Sequence, residues 1–317
     1  MSGVYVTREL PSTILQPLRE RFEVELWRGD QPVPTEELLA RVVDAEGLLC
    51  MLNDVIDVGL LNAAPSLRVI SQMAVGVDNI DLDECSKRGI AVGHTPGVLT
   101  ETVADTAFAL LSAVVRRLPE GLEEVRGGMW GPWSPFHLNG GDLHGTTLGI
   151  VGMGRIGQAV ARRAMGFDMS VVYNSPSDVY SLEARRLDLE ALLDVSDNVV
   201  ICAALTDITR GLIGATELGL MKQTAYLVNV SRGPIVDTEA LVAALGAGEI
   251  AGVGLDVTDP EPIPSDHPLL AYPNCLVVPH IGSASVKTRR QMAELAVQNV
   301  VAGLDGTSMP ARYPLGG

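Results

Sequence analysis

Through the first hundred residues, short apolar runs alternate with amphipathic stretches. The runs Val4–Thr7, Glu23–Trp27, Gly47–Leu52, Leu67–Met73 and Ile90–His94 have strand length and composition. Between several of them lie helix-like segments: Ser12–Arg21, Thr35–Val43, Asp57–Ala63 and Leu82–Arg88. Strands alternating with helices predict a parallel sheet covered on both faces, since each parallel crossover needs a helix-length connection. Thr95-Pro96-Gly97 then punctuates the chain, and an Ala-, Leu- and Val-rich helical stretch runs from Glu101 to Val125, broken by Pro119. It is long enough to bridge two domains.

After a Trp-, Gly- and Pro-rich loop (Gly127–Asp142) the alternation restarts. Leu148–Gly152 reads as a strand, Arg155–Met165 as an amphipathic helix and Ser170–Tyr173 as a second strand. Asn198–Ala203, Ala225–Val230, Gly252–Asp256 and Cys275–Pro279 are further buried-strand candidates, and Lys287–Leu304 closes the chain as a helix. No short repeat or low-complexity tract interrupts the pattern. The chain of 317 residues is long enough for two domains, each with its own core. The fold class expected is α/β with parallel sheets.

The sharpest local signal is Gly152-Met153-Gly154-Arg155-Ile156-Gly157. A bare pattern of three glycines is weak evidence, but here an apolar strand precedes it and an Ala/Val-rich helix follows. In that setting Gly152 permits a tight turn, Gly154 lets a pyrophosphate approach the backbone, and Gly157 lets helix pack on strand. The helix N-terminus then presents unpaired N–H groups and a partial positive charge to phosphate. A dinucleotide is the expected ligand. The next strand ends in Tyr173-Asn174-Ser175-Pro176-Ser177, with neutral Asn174 where an acid would hold the ribose diol of NAD. A neutral amide beside a hydroxyl does not repel a 2′-phosphate, so NADP is favoured over NAD. Asp178 lies nearby, and the nearest cations are Arg155, Arg185 and Arg186.

Three further segments place polar residues just beyond apolar strands: Asn229-Val230-Ser231-Arg232-Gly233, Asp256 through Glu261-Pro262, and Pro279-His280-Ile281-Gly282-Ser283. Ligands of open α/β sheets bind outside the carboxyl ends of strands, so these positions should converge. Arginine, glutamate and histidine together suit reduction of a 2-oxo acid. Arg232 would grip carboxylate and carbonyl oxygens with a planar charged fork. His280 would donate a proton, as an imidazole titrates near neutral pH. Glu261, bonded to the other ring nitrogen, would orient the ring and stabilise its charged form. Alone, each has an ordinary alternative: a surface ion pair, a helix cap, a loop acid. His94, His137, His144 and His267 lack such context and are read as structural or solvated.

Composition narrows the class. Hydrophobic residues make up 47% and charged ones 20%, which excludes pervasive disorder. Acidic residues exceed basic ones, 39 against 23, giving a net charge of −16 that disfavours nucleic acid and anionic membranes. The four cysteines are scattered without metal-ligand spacing and read as ordinary thiols of a reducing compartment; no metal site is expected. With no signal-like leader and no apolar run near the ~18 residues of a membrane span, cytoplasm is the default.

Ser231-Arg-Gly with Ile235-Val-Asp, Gly254-Leu-Asp-Val with Glu261-Pro, and Pro279-His-Ile-Gly-Ser are signatures of one family. Across essentially its whole length the chain resembles the D-isomer-specific 2-hydroxyacid dehydrogenases, most of all their glyoxylate/hydroxypyruvate reductase branch. Val75-Gly-Val-Asp, Thr95-Pro-Gly-Val-Leu-Thr, Arg117-Leu-Pro-Glu and the stretch from Leu255 to His267-Pro-Leu-Leu fit that branch. The resemblance implies two Rossmann-like doubly wound domains with an active-site cleft between them: residues 1–99 with 288–317 for substrate, and 100–287 for the nicotinamide cofactor. It implies Arg232, Glu261 and His280 as the catalytic set, and Met51, Leu52, Val75, Gly76 and Ser283 beside the substrate. Backbone N–H groups at Val75 and Gly76 would hold the substrate carboxylate. Beyond the glycine loop with Arg155 and Ile156, it implies Asn174, Ser175, Val230, Asp256, His280 and Gly282 along the cofactor. It implies a homodimer, with Trp130 or Trp133 as the loop aromatic that reaches a neighbouring active site. Phosphoglycerate and phosphite dehydrogenases share the architecture, as does a non-enzymatic NAD(H)-sensing corepressor.

Overall fold

The computed structural model describes residues 3–29, 31–179 and 183–315. The chain forms two compact units. One takes the sequence up to Leu99 and again from Ser285 onward; the other is Thr100–Ala284.

The first unit alternates β1 (Gly3–Val6), α1 (Ser12–Arg19), β2 (Glu23–Leu26), α2 (Thr35–Arg41), β3 (Ala45–Cys50), α3 (Val58–Ala63), β4 (Val69–Gln72), α4 (Leu82–Arg88) and β5 (Ala91–Gly93). Its sheet is wholly parallel, in the order β2-β1-β3-β4-β5. Strand alternation divides its side chains between two apolar layers. Leu48 and Ile70 pack with Leu60 and Leu61 on one face. Leu49 and Val69 pack on the other with Ala296, Val297 and Val300 of the C-terminal helix, Val286–Leu304. Helix starts are set locally: Asp57 accepts from the Leu60 N–H at 2.9 Å and Asp81 from the Glu84 N–H at 2.8 Å. Gly89, at φ +70°, stops α4 in the left-handed conformation that glycine adopts without penalty.

The second unit holds α5 (Thr100–Val115), α6 (Leu118–Arg126), β6 (Thr147–Val151), α7 (Arg155–Met165), β7 (Ser170–Asn174), β8 (Ala184–Arg186), α8 (Leu189–Val195), β9 (Asn198–Ile201), α9 (Ala215–Leu220), β10 (Tyr226–Asn229), α10 (Thr238–Ala247), β11 (Gly252–Leu255) and β12 (Cys275–Val277). Seven parallel strands run in the order β12-β11-β10-β9-β6-β7-β8. The chain builds outward from β6 through β7 to β8, then returns beside β6 and builds the other way from β9. This reversal creates a crevice at the carboxyl ends of β6 and β9, the place where open α/β sheets take ligands.

The long helical stretch breaks earlier than Pro119. Arg117 adopts φ +52°, ending α5, and Pro119 lies in the first turn of α6, where a missing N–H breaks no helical hydrogen bond. Strand β8 escapes the sequence pattern because it is short and charged, Ala184-Arg185-Arg186, and occupies a sheet edge.

Candidate active site

The glycine loop leaves the end of β6 at the topological switch. Gly152 has φ +96°, and a Cβ there would lie 2.5 Å from the Ala203 nitrogen. A Cβ on Gly157 would lie 2.2 Å from the Gly152 carbonyl oxygen. Both glycines are therefore required by the protein's own packing. Gly154 is different: its φ is an ordinary −72°, and a Cβ would meet nothing within 4 Å. It stands at the N-cap of α7 without a side-chain cap. The open space lies where the helix dipole and unpaired N–H groups favour an anion, so the loop fits a dinucleotide pyrophosphate. Arg155 is exposed and Ile156 half-buried in the first turn.

At the end of β7, the Asn174 carbonyl accepts from the Gly152 N–H at 2.8 Å, and its side-chain amide donates to the Leu187 carbonyl at 3.0 Å. Asn174 thus spends one of its side-chain donors on the protein. Ser175 is half-buried and Ser177 exposed. Pairing of Tyr173 with Arg186 across β7 and β8 brings a cation to this turn. The Arg186 guanidinium donates to the Asp178 carboxylate and to the Pro176 carbonyl, each at 3.0 Å.

The polar segments follow β10, β11 and β12, which are adjacent in the sheet. Buried Asn229 shapes the first, accepting from the Ser231 N–H at 3.0 Å and donating to the Arg232 carbonyl at 2.9 Å. The Ser231 hydroxyl donates to the Ala203 carbonyl, linking the segment back to the loop beside Gly152. Val230 is buried. A Cβ on Gly233 would lie 2.0 Å from the Thr258 carbonyl oxygen, so glycine alone lets the arginine turn lie against the segment carrying Glu261.

Glu261 and His280 meet directly, Oε1 to Nδ1 at 2.6 Å. The other carboxylate oxygen accepts from the Thr258 N–H at 3.3 Å. Burial pushes the Glu261 carboxyl up, but the His280 bond and charge, the Thr258 N–H and the Arg232 charge together hold it below the ordinary glutamate value. The carboxylate therefore stays ionised beside the imidazole. His280 itself has φ +52°, a left-handed conformation uncommon outside glycine. Its N–H donates to the Asp256 carbonyl at 2.9 Å, and the Asp256 side chain accepts from the Ile281 and Gly282 N–H groups at 2.7 and 2.9 Å. Burial raises Asp256 above the usual carboxylate range, against the lowering effect of those two bonds. Gly282 has no room for a side chain, since a Cβ would sit 2.6 Å from the Asp256 carboxylate, and Ser283 beside it is buried.

In the first unit, Met51 and Leu52 follow β3 and are half-buried; Val75 and Gly76 follow β4. The Met51 N–H donates to the buried Asp54 carboxylate at 2.7 Å. The Asn79 amide donates to the Asp54 and Met51 carbonyls at 2.7 and 3.3 Å, while Gln72 donates to Asn79 at 2.7 Å. These bonds tie the two loops together. In the first unit Asn79, Gln72 and Asp54 shape these loops, and in the second Asn229 and Thr258 shape the segments after β10 and β11; none of the five stands out in the sequence. Gln72 and Asn229 end apolar strands, and Asp54 and Thr258 follow shortly after β3 and β11, but Asn79 lies well beyond β4 and carries no such signal. Among the described residues no cluster of His, Cys, Asp and Glu could hold a metal ion, and no helix is long and apolar enough to cross a membrane.

A doubly wound parallel sheet, a glycine loop at its switch point and a histidine hydrogen-bonded to a glutamate at its strand ends define a nicotinamide-dependent dehydrogenase architecture. Residues 108–282 match the model of the D-isomer specific 2-hydroxyacid dehydrogenase NAD binding domain. The chain belongs to that family of oxidoreductases. It is 47% identical over 320 residues to the glyoxylate reductase/hydroxypyruvate reductase of Mus musculus, covering 98% of each chain. It is 48% identical over 312 residues to the glyoxylate reductase of Korarchaeum cryptofilum, covering 97% of this chain and 94% of that one. Among solved structures, an NADPH-dependent glyoxylate/hydroxypyruvate reductase from Sinorhizobium meliloti, in complex with NADP and malonate, superposes with a TM-score of 0.86. It is 33% identical, with 98% of this chain and 96% of that one covered.

Proposed function

We propose that this enzyme reduces glyoxylate and hydroxypyruvate to their 2-hydroxy acids, with NADPH preferred over NADH. The observation that carries the reading is the 2.6 Å Glu261–His280 bond, on the strand ends next to Arg232. When bound, the reduced nicotinamide supplies the hydride that becomes the new C–H bond at the substrate's carbonyl carbon. The chain's residues do the rest. Val75 and Gly76 offer backbone N–H groups to the carboxylate, and Met51 and Leu52 limit the size of the group beyond the carbonyl. Arg232 polarises the carbonyl and stabilises the charge that develops on its oxygen. His280 delivers a proton to that oxygen from Nε2, the nitrogen that Glu261 does not hold, and is left neutral. The ionised Glu261, bonded to Nδ1, keeps the ring aimed before and after the transfer.

The second unit is assigned the cofactor and the first the substrate carboxylate. Val230, Asp256 and Gly282 border the nicotinamide, with Asp256 towards its carboxamide and Ser283 on the substrate side. Support for NADPH comes from the turn after β7: no carboxylate at Asn174, two serines, and Arg186 delivered by β8. A homodimer is supported by α6, which buries none of its side chains and leaves Leu118, Leu122 and Val125 exposed. Exposed Trp130 and Trp133 on the following loop are the side chains proposed to reach a neighbouring subunit. The deciding experiment is a turnover panel of 2-oxo acids, phosphite and phosphoglycerate with both cofactors. Catalytic efficiency should be highest for glyoxylate or hydroxypyruvate with NADPH. Higher efficiency with phosphite or phosphoglycerate, or no turnover at all, rejects the reading.

A further inference from the structure

The loop after β4 has an unusual division of its backbone groups. Each of four successive carbonyls is occupied: Ala74 by the Thr95 N–H at 2.8 Å, Val75 by His94 Nδ1 at 2.9 Å, Gly76 by the Gln72 side-chain amide at 3.4 Å, and Val77 by the Ile80 N–H at 3.0 Å. The N–H groups of Val75, Gly76 and Val77, by contrast, meet no acceptor among the described residues. A run of backbone donors left over while the carbonyls are satisfied is the arrangement that a main-chain anion site requires.

Two side chains decide which way those donors point. The Val75–Gly76 peptide is trans, so its C=O and N–H project in opposite directions. Fixing the Val75 carbonyl on His94 aims the Gly76 N–H away from it. Gln72 does the same for the next peptide plane, aiming the Val77 N–H. Because the acceptor is a carbonyl, the proton must reside on Nδ1 of His94. The imidazole is itself anchored. Its backbone N–H donates to the Ala311 carbonyl at 3.0 Å, and its carbonyl accepts from the Asn299 amide at 3.0 Å. Its ring packs edge-on against Tyr313, with centroids 5.1 Å apart.

We infer that His94 is a positioning residue for the substrate carboxylate, acting through the Val75–Gly76 peptide rather than by touching substrate. The inference rests on the proposed 2-oxo acid activity and names the device that orients its carboxylate donors. It predicts that His94 governs how tightly the acid is held and leaves hydride and proton transfer to other groups.

Asparagine and leucine at position 94 separate this role from plain packing. Both remove the ring from Tyr313 and are of similar size, but only Asn retains an N–H donor near the place of Nδ1. His94→Leu should raise KM for glyoxylate about tenfold or more, the scale of one hydrogen bond that serves a charged group. Its kcat should change little, and NADPH binding, read by nicotinamide fluorescence, should stay the same. His94→Asn should recover most of the lost KM. Equal KM values in the two variants, whether normal or equally raised, overturn the inference, as does a kcat loss at unchanged KM. If the wild type reduces no 2-oxo acid, the proposed activity fails. His94 is then read by calorimetric binding of oxamate in the presence of NADPH. The Leu variant should bind it weakly and the Asn variant nearly normally, and equal binding overturns the inference.

Discussion

At the scale of single residues, the proposed mechanism gives two side chains distinct duties. His280→Asn should lower turnover by ~10²–10⁴, the usual effect of removing a general acid, while nicotinamide fluorescence still reports cofactor binding. Asn is the appropriate replacement because it tolerates the left-handed backbone, φ +52°, that His280 adopts. Near-normal turnover in that variant removes His280 from the mechanism. Arg232→Lys keeps the charge but not the fork, so KM for glyoxylate should rise and kcat fall, with efficiency lower by at least about tenfold. Unchanged kinetics make the arginine structural. Glu261 also leaves a pH signature. Its folded-state value is depressed, so its contribution to stability is present above the ordinary glutamate value and lost as pH falls through the folded value. The melting temperatures of wild type and Glu261→Gln should therefore differ most near neutral pH and converge on acidification below about pH 4. A gap that widens with acid contradicts the depressed Glu261 carboxyl.

Elements place these residues, and the β7–β8 edge is where an element rather than a motif is expected to set specificity. Asn174→Asp puts a negative charge where a 2′-phosphate would lie, and the ratio of efficiencies for NADPH and NADH should fall at least about tenfold. That variant also places a carboxylate against the Leu187 carbonyl, which now accepts from the Asn174 amide at 3.0 Å. Arg186→Gln leaves that bond intact and should lower the same ratio by removing a cation. If neither variant moves it, the turn does not select the cofactor.

For the whole molecule, the exposed stripe of α6 is the feature with the largest expected consequence. Leu118, Leu122 and Val125 lie at helical spacing on one face, and Met129, Trp130, Trp133 and Phe136 add exposed apolar surface on the next loop. Burying each large side chain is worth roughly 1.5–3 kcal/mol, so a second copy covering this face would be held firmly. Sedimentation should find a dimer for the wild type and a shift to monomer for Leu122→Glu. A monomeric wild type would leave the stripe without the proposed occupant.

How much of this was legible in the sequence depends on the range of the interactions involved. The alternation of apolar runs and amphipathic stretches determined the parallel α/β class, because burial on both faces of a sheet is written residue by residue. The helix Arg155–Met165 and the spacing of Gly152, Gly154 and Gly157 were equally readable, since the turn and the close helix packing are local demands. Arg232, Glu261 and His280 were read as polar residues following apolar strands; the contact between Glu261 and His280 depended on strand order, as β10, β11 and β12 are neighbours only in the folded sheet. Other features belong to tertiary structure alone. Arg186 reaches the turn after β7 through an edge pairing that a three-residue charged strand does not announce. The left-handed backbone of His280 goes with a hydrogen bond from its N–H to the carbonyl of Asp256, 24 residues earlier in the chain. His94 finds the Val75 carbonyl 19 residues away in sequence, and no periodicity encodes that contact. Local preferences and hydrophobic pattern act between near neighbours and determined the elements; which groups share a hydrogen bond was decided only when non-adjacent strands came together.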